Sequence, residues 1–180
     1  MGHLKRTGGG WSGRHMVLLI TAVWMMSSCG YRFAGGDAAP FGVRKIAVLM
    51  FENRTSEVGV ESIFTNDFID VMTNDGRISV VEPSRAEGVF KGVISAVEID
   101  TISRRSSYLP LERRVTIVLD VAFEDEDGRV LWSGKEWIRT EEYTISPDKR
   151  VTERNRRAAI SEISEQTARE IYQMLTWVGS

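Results

Sequence analysis

The spacing of apolar and polar residues along the chain predicts two amphipathic helices. Residues 44–51 form a short, nearly continuous apolar run, which favours a buried strand. From Val60 to Gly76, apolar residues recur at helical spacing and polar residues cover the other face, which predicts a helix that ends at Asp75-Gly76. A second stretch with the same periodicity, residues 152–178, predicts a long helix at the end of the chain.

The segment between these helices has the pattern of β-strands. Residues 78–81 and 88–99 read as strands, and residues 115–123 alternate strictly, which predicts a strand with one face in the core. The acidic residues 124–128 are typical of a hairpin turn, and residues 130–138 of the returning strand. We therefore predict an α+β two-layer sandwich, with two helices packed on one face of a mainly antiparallel sheet of four to five strands.

The first 28 residues follow a different pattern. Lys5, Arg6 and Arg14 precede an uncharged apolar run over residues 16–26, which is typical of an export signal and too short to span a bilayer. Two serines then lead to Cys29, and this arrangement resembles a bacterial lipobox, although Met26 stands where leucine is preferred. The resemblance implies cleavage before Cys29 and acylation of that cysteine, for example with palmitate.

These features divide the chain into three parts. We predict a signal peptide over residues 1–28, a lipidated tether over 29–42 that is rich in glycine, and a single domain over 43–180. Gly30, rather than aspartate, after the cysteine resembles the sorting signal for the outer membrane of a Gram-negative cell. The alternatives are an ordinary secretory signal with a coincidental cysteine, or a core helix.

The residue inventory weighs against catalysis. Cys29 is the only cysteine, and both histidines, His3 and His15, lie in the predicted leader. The remaining chain lacks the usual general base, the usual thiol nucleophile and the commonest zinc ligands, so we expect no enzyme activity, no metal and no cofactor. The acidic run 124–127 lacks the spacing of an EF-hand loop, which leaves calcium as a weak alternative.

The predicted topology gathers cations at one end of the sheet. Antiparallel strands place the loop 100–111 and the start of the last helix at one end, and the acidic turn at the other. Guanidinium groups and a helix N-terminus suit phosphate binding, and outside the cytoplasm lipid A is a better phosphate source than nucleic acid. The alternative is a solvated charged rim. The candidate phosphate-binding residues are Arg104, Arg105, Arg113, Arg114, Lys149 and Arg154.

Several short motifs carry a resemblance to a known family. They are Cys29-Gly30-Tyr31-Arg32-Phe33, Ile46-Ala47-Val48, Phe51-Glu52-Asn53-Arg54-Thr55, Gly92-Val93-Ile94 and Ala158-Ala159-Ile160. With these motifs the chain resembles the lipopolysaccharide-assembly lipoprotein family LptE. The resemblance implies a non-enzymatic outer-membrane lipoprotein that plugs the LptD β-barrel, supports assembly of that barrel, and binds lipopolysaccharide on its way to the cell surface.

The resemblance also points to particular cations. The family's ligand-contacting basic residues lie between the central strands, which implies Arg104 and Arg105 here, and near the start of the last helix. At the helix, Glu153 stands where a cation is expected, so Lys149 and Arg154 are the substitutes.

Two other kinds of outer-membrane lipoprotein share part of the pattern. The segment from Ile46 to Thr55 also resembles activators of peptidoglycan synthases and subunits of curli-type secretion pores. An activator needs a long tether, whereas the residues after Cys29 reach only about 40 Å when extended. The short tether therefore favours a plug.

Overall fold

The computed structural model describes residues 39–74, 76–102 and 111–178. Six strands and two helices make up this part of the chain. The strands are β1 (Lys45–Val48), β2 (Glu52–Asn53), β3 (Ser79–Val80), β4 (Gly88–Ile102), β5 (Glu112–Asp125) and β6 (Val130–Thr144), and the helices are α1 (Val60–Asn74) and α2 (Lys149–Val178). Within these ranges neither helix combines the length and the apolar composition that crossing a bilayer requires.

The strands form one mixed sheet in the order β3-β1-β4-β5-β6, and β2 also pairs with β4. The long strands β4, β5 and β6 are antiparallel, whereas β1, β2 and β3 make only parallel pairs. The predicted α+β class is confirmed, but the sheet has six strands rather than four to five, and three of them make only parallel pairs. The strand that the sequence does not reveal is β2, whose two residues, Glu52 and Asn53, are too few to carry a periodicity.

The core lies between the sheet and the two helices. In β5, Val115, Ile117, Leu119, Val121 and Phe123 are buried, as their alternation predicts. They belong to one cluster with buried side chains of both helices: Phe64, Phe68 and Met72 of α1, and Ile160, Ile163 and Ile171 of α2. The apolar stripes of both helices therefore cover the sheet, as predicted.

Two of the short motifs meet inside this core. A Cβ atom added to Gly92 of β4 would lie 2.0 Å from the ring of Phe51, which is 2% exposed. The Phe51 ring in turn packs on that of Phe68, with ring centroids 5.0 Å apart. Glycine is therefore required at position 92 because the aromatic ring occupies the volume of any side chain.

The strand register defines two opposite ends of the sheet. At one end, Ile102 pairs with Glu112 and Glu112 with Thr144, immediately before α2 begins. This end carries Arg113, Arg114, Lys149, Arg150 and Arg154, and we call it the cationic end. At the other end, Gly88 pairs with Asp125 beside the β5–β6 turn.

The N-terminal part of the described chain lies at the second end. The 3₁₀ turn Pro40–Gly42 contacts α2, and the ring of Phe41 lies 6.0 Å from that of Phe123 near the end of β5. Ala39 and Pro40 are buried there. The domain is therefore entered at the end opposite the cations, which we call the entry end.

Candidate functional site

The structure bears on four of the seven residues singled out from the sequence. Cys29, Arg104 and Arg105 lie outside the described residues, so their roles stay predictions. Arg113, Arg114, Lys149 and Arg154 all lie at the cationic end, as the predicted topology requires. They occupy three different surfaces of that end, and these surfaces differ in what they can bind.

Arg113 and Arg114 lie on opposite faces of β5, since successive side chains alternate along a strand. Arg114 donates to Glu142 of β6 at 2.8 Å, and both side chains are nearly half exposed, so this ion pair is a weak surface contact. Arg113 pairs in register with Tyr143 on the helix-covered face. Its Nε atom and the Tyr143 hydroxyl are buried, and neither has a hydrogen-bond partner among the described residues.

Helix α2 begins at Lys149, three residues before the predicted start at Thr152. The backbone N–H of Arg150 donates to Asp148 Oδ1 at 2.8 Å, and the Thr152 hydroxyl donates to the Ser146 carbonyl at 3.0 Å. This is an N-terminal cap that the periodicity of apolar residues does not reveal. The Asp148 carboxylate already accepts from one amide of this terminus and would repel a second anion. We therefore expect any phosphate binding at this helix to depend on side chains rather than on backbone amides.

The first turns of α2 carry exposed cations. Lys149, Arg150 and Arg154 are exposed, and none of them forms an ion pair with a residue in the described ranges. Arg150 and Arg154 are four positions apart and therefore share one helix face. Two guanidinium groups on one face suit bidentate binding of phosphate. In the sequence, Arg150 can be recognised as part of this site only by its spacing from Arg154. That spacing places the two residues on one face only if the helix already begins at Lys149.

Arg156 and Arg157 on the next turn are occupied by carboxylates. Arg156 donates to both Glu153 and Glu57, and Arg157 donates to Glu153 at 3.0 Å. Hydrogen bonds from Arg156 and Arg157 hold the pKa of Glu153 below its usual value. Glu153 therefore stays ionised, and its negative charge is balanced by Arg156 and Arg157 rather than by the exposed cations.

A groove of about 510 Å³ lies between the open edge of β6 and α2. Three carboxylates contribute to its lining, from Glu141, Glu142 and Glu162. An anion would be repelled from this groove, so the surface suited to phosphate is the outer face of α2 rather than the cavity beside it. Within the described ranges, no cluster of three or more His, Cys, Asp or Glu residues could hold a metal ion.

Comparison with known proteins places the chain in a family. A family model described as LptE, lipopolysaccharide-assembly, matches residues 43–175, which is more than half of the chain. No curated protein matches the chain in sequence.

Some solved structures resemble the chain at low sequence identity. A Caulobacter crescentus protein classed as a lipoprotein is 14% identical with a TM-score of 0.50, over 72% of this chain and 90% of its own. A minor lipoprotein from Acinetobacter baumannii is 10% identical with a TM-score of 0.49, over 72% and 93%. The PelC dodecamer from Paraburkholderia phytofirmans is 14% identical with a TM-score of 0.46, over 77% and 90%. At 14% identity, the likeness to the Caulobacter crescentus protein concerns the fold alone.

Proposed function

The chain belongs to the LptE lipopolysaccharide-assembly family, and from this premise we propose that it is an outer-membrane lipoprotein that plugs the LptD β-barrel. In this proposal it supports assembly of the barrel and binds lipopolysaccharide during transport to the cell surface. Its acyl chains on Cys29 hold it at the periplasmic side of the outer membrane. It acts by binding and carries out no chemical step.

The observation that carries the proposal is the separation of the two ends of the domain. The chain enters beside Phe41 and Phe123, whereas Lys149, Arg150 and Arg154 lie at the opposite end of the sheet. A strand of the length of β5 spans about 45 Å. A domain tethered at the entry end would therefore hold its cations well away from the membrane anchor, which suits a plug that reaches into a barrel lumen.

The cations themselves support lipopolysaccharide as the ligand. Lipid A carries phosphates, and Lys149, Arg150 and Arg154 have no carboxylate partner among the described residues. An exposed cation that is not already paired can form charge-assisted hydrogen bonds with phosphate without breaking an existing contact. Arg104 and Arg105 belong to the same proposed site by the family resemblance, and Arg114 contributes less because Glu142 already holds it.

Purification of the lipidated protein from detergent-solubilised outer membrane tests the barrel partner. We expect a large β-barrel protein to co-purify in stoichiometric amount and to be identified by mass spectrometry. Recovery of a peptidoglycan synthase, or of a ring of identical subunits, would instead favour one of the two other lipoprotein classes and would overturn the proposal.

A pair of charge-reversal variants tests the ligand. The double variant Lys149→Glu and Arg154→Glu should weaken binding of purified lipopolysaccharide about tenfold or more, because each lost contact is charge-assisted. The control, Arg44→Glu with Arg85→Glu, makes the same charge change at exposed residues near the entry end. Equal effects of the two variants would reduce the cationic end to a solvated rim.

A further inference from the structure

The last two turns of α2 expose large apolar side chains. Trp177 is 83% exposed, Val178 51% and Met174 41%. On the other side of the same turns, Ile171, Tyr172 and Leu175 are buried in the core. The exposed side chains therefore form a contiguous surface patch, which differs from the single exposed apolar residues that are normal on a protein surface. We call Met174, Trp177 and Val178 the tryptophan patch.

The patch lies at the entry end. The guanidinium of Arg77 lies 5.9 Å from the centre of the Tyr172 ring. Arg77 lies two residues before β3. Ser79 of β3 pairs with Lys45 at the start of β1, which lies next to the start of β4. The 3₁₀ turn Pro40–Gly42 also contacts α2. The C-terminal turns of α2, the N-terminal entry of the chain and the start of β4 are therefore at one end of the domain.

The chain upstream limits how far this end can lie from a membrane. Cys29 precedes the first described residue, Ala39, by ten positions. Ten residues reach about 35 Å even when fully extended. If acyl chains on Cys29 are in the bilayer, as proposed above, this reach limits the distance between the entry end and that bilayer. The cationic end is under no such limit.

The chemistry of the patch suits the boundary between headgroups and acyl chains. The indole of tryptophan has an apolar body and one N–H donor, and it is enriched at membrane–water interfaces for that reason. A shallow groove of about 260 Å³ lies beside it, lined by Glu170, Gln173, Met174 and Trp177. The one carboxylate in that lining, Glu170, is paired with Arg139 of β6, so its charge opposes an anionic surface less than a free carboxylate would.

We propose that the tryptophan patch is a second membrane contact, which rests in the headgroup region of the bilayer that holds the N-terminal acyl chains. This inference rests on the lipid anchor of the proposed function, and it goes beyond that function by assigning an orientation. Two contacts at the entry end, one covalent and one through α2, fix the long axis of the sheet relative to the membrane. A single flexible tether would leave that axis free to turn.

Quenching by brominated lipid tests the contact. The processed, lipidated protein is incorporated into vesicles of phosphatidylethanolamine and phosphatidylglycerol in which part of the lipid is brominated near the headgroup. Flotation first establishes that the protein is bound. We expect brominated lipid to quench tryptophan emission of the unmodified protein. More than half of that quenching should be lost in Trp177→Phe. Most of it should remain in the matched control Trp132→Phe, because the Trp132 ring packs against the core.

The outcomes separate this inference from the function on which it rests. Protein that floats but shows equal quenching in Trp177→Phe and the unmodified chain would overturn the patch as a membrane contact and leave the lipid anchor standing. Protein that does not float would overturn both. Loss of the co-purifying barrel in Trp177→Lys, without quenching in vesicles, would assign the patch to a protein partner and overturn the lipid contact. Because Trp177 is exposed, circular dichroism should show the same fold in each variant.

Discussion

Arg156 of α2 donates a hydrogen bond to the carboxylate of Glu57, in the segment that precedes α1, and the two residues are 99 positions apart in the chain. Arg156 also donates to Glu153 at 2.8 Å, so one guanidinium joins two carboxylates. The side chains of Arg156 and Glu57 are only 22% and 15% exposed. This ion pair therefore links the segment after the Phe51–Thr55 motif to α2, the helix that carries the exposed cations.

Removal of Arg156 should destabilise the domain. In Arg156→Ala, the mostly buried Glu57 loses its cationic partner, and we expect the free energy of unfolding to fall by about 1–2 kcal/mol, since partial exposure moderates the penalty for a stranded charge. Denaturant unfolding measures this change. Arg157→Ala is the matched control because Arg157 shares Glu153 but is 70% exposed, and its effect should stay within about 0.5 kcal/mol. Equal losses in both variants would show that the Glu57 contact contributes nothing.

A methyl group at position 92 should disturb the core. In Gly92→Ala, the new Cβ would meet the Phe51 ring at 2.0 Å, and the ring cannot retreat because it packs on Phe64, Phe68 and Phe90. We expect a loss of about 1–3 kcal/mol or more in the free energy of unfolding. Glu98→Ala on the exposed part of the same strand serves as control. A Gly92→Ala protein as stable as the unmodified chain would mean that Phe51 can repack.

The elements predicted from the sequence are those with many repeats of their period. β5 alternates over residues 115–123, and both helices bury one continuous stripe, so the presence and approximate positions of these elements follow from the pattern, although their exact ends do not. By contrast, Glu52 and Asn53 pair with β4 over two residues only, which no periodicity marks. The Asn53 side chain then accepts from the backbone N–H of Thr55 at 2.9 Å and makes the turn.

The same distinction applies to the cationic end. Its location follows from the topology, because hairpins alternate the ends at which successive loops lie. Its chemistry does not follow, because Arg156 is bound by Glu57, which only tertiary packing brings near. The Asp148 cap likewise depends on a helix start that no apolar residue marks. Residues that the sequence groups as equivalent cations are therefore divided by the fold into paired and exposed ones.

Replacement of Cys29 tests the lipid anchor. Cys29→Ala removes the only sulfur that could be acylated in a lipobox, so we expect an uncleaved precursor that carries no acyl chain. The mass of the purified protein and its distribution between soluble and outer-membrane fractions measure this. Ser28→Ala keeps a small residue before the cysteine and should be processed normally. Normal outer-membrane fractionation of the Cys29→Ala protein would contradict the lipobox interpretation.

Asp67 of α1 should make the stability of the domain depend on pH. It lies half-buried toward α2, and burial raises the pKa of its carboxyl group, with the Glu165 and Asp70 charges adding to the rise. The nearby Ser164 hydroxyl and the charge of Arg169 partly offset this rise in pKa. Asp67 Oδ2 and Ser164 Oγ have no hydrogen-bond partner among the described residues. The folded carboxyl group thus holds its proton to a higher pH than the unfolded one does.

The sign of the dependence follows from linkage. Because the folded state binds this proton more tightly, Asp67 lowers the free energy of unfolding as pH rises from the unfolded pKa through the folded one. Asp67→Asn keeps the shape and removes the ionisation, so it should raise stability at pH 7 and leave stability at low pH nearly unchanged. Thermal unfolding across the acid range measures both. Asp127→Asn removes the same charge at an exposed position in the β5–β6 turn, away from Asp67, and serves as the control. A difference between the two variants reports the burial of Asp67, and identical pH profiles would contradict a raised pKa of Asp67.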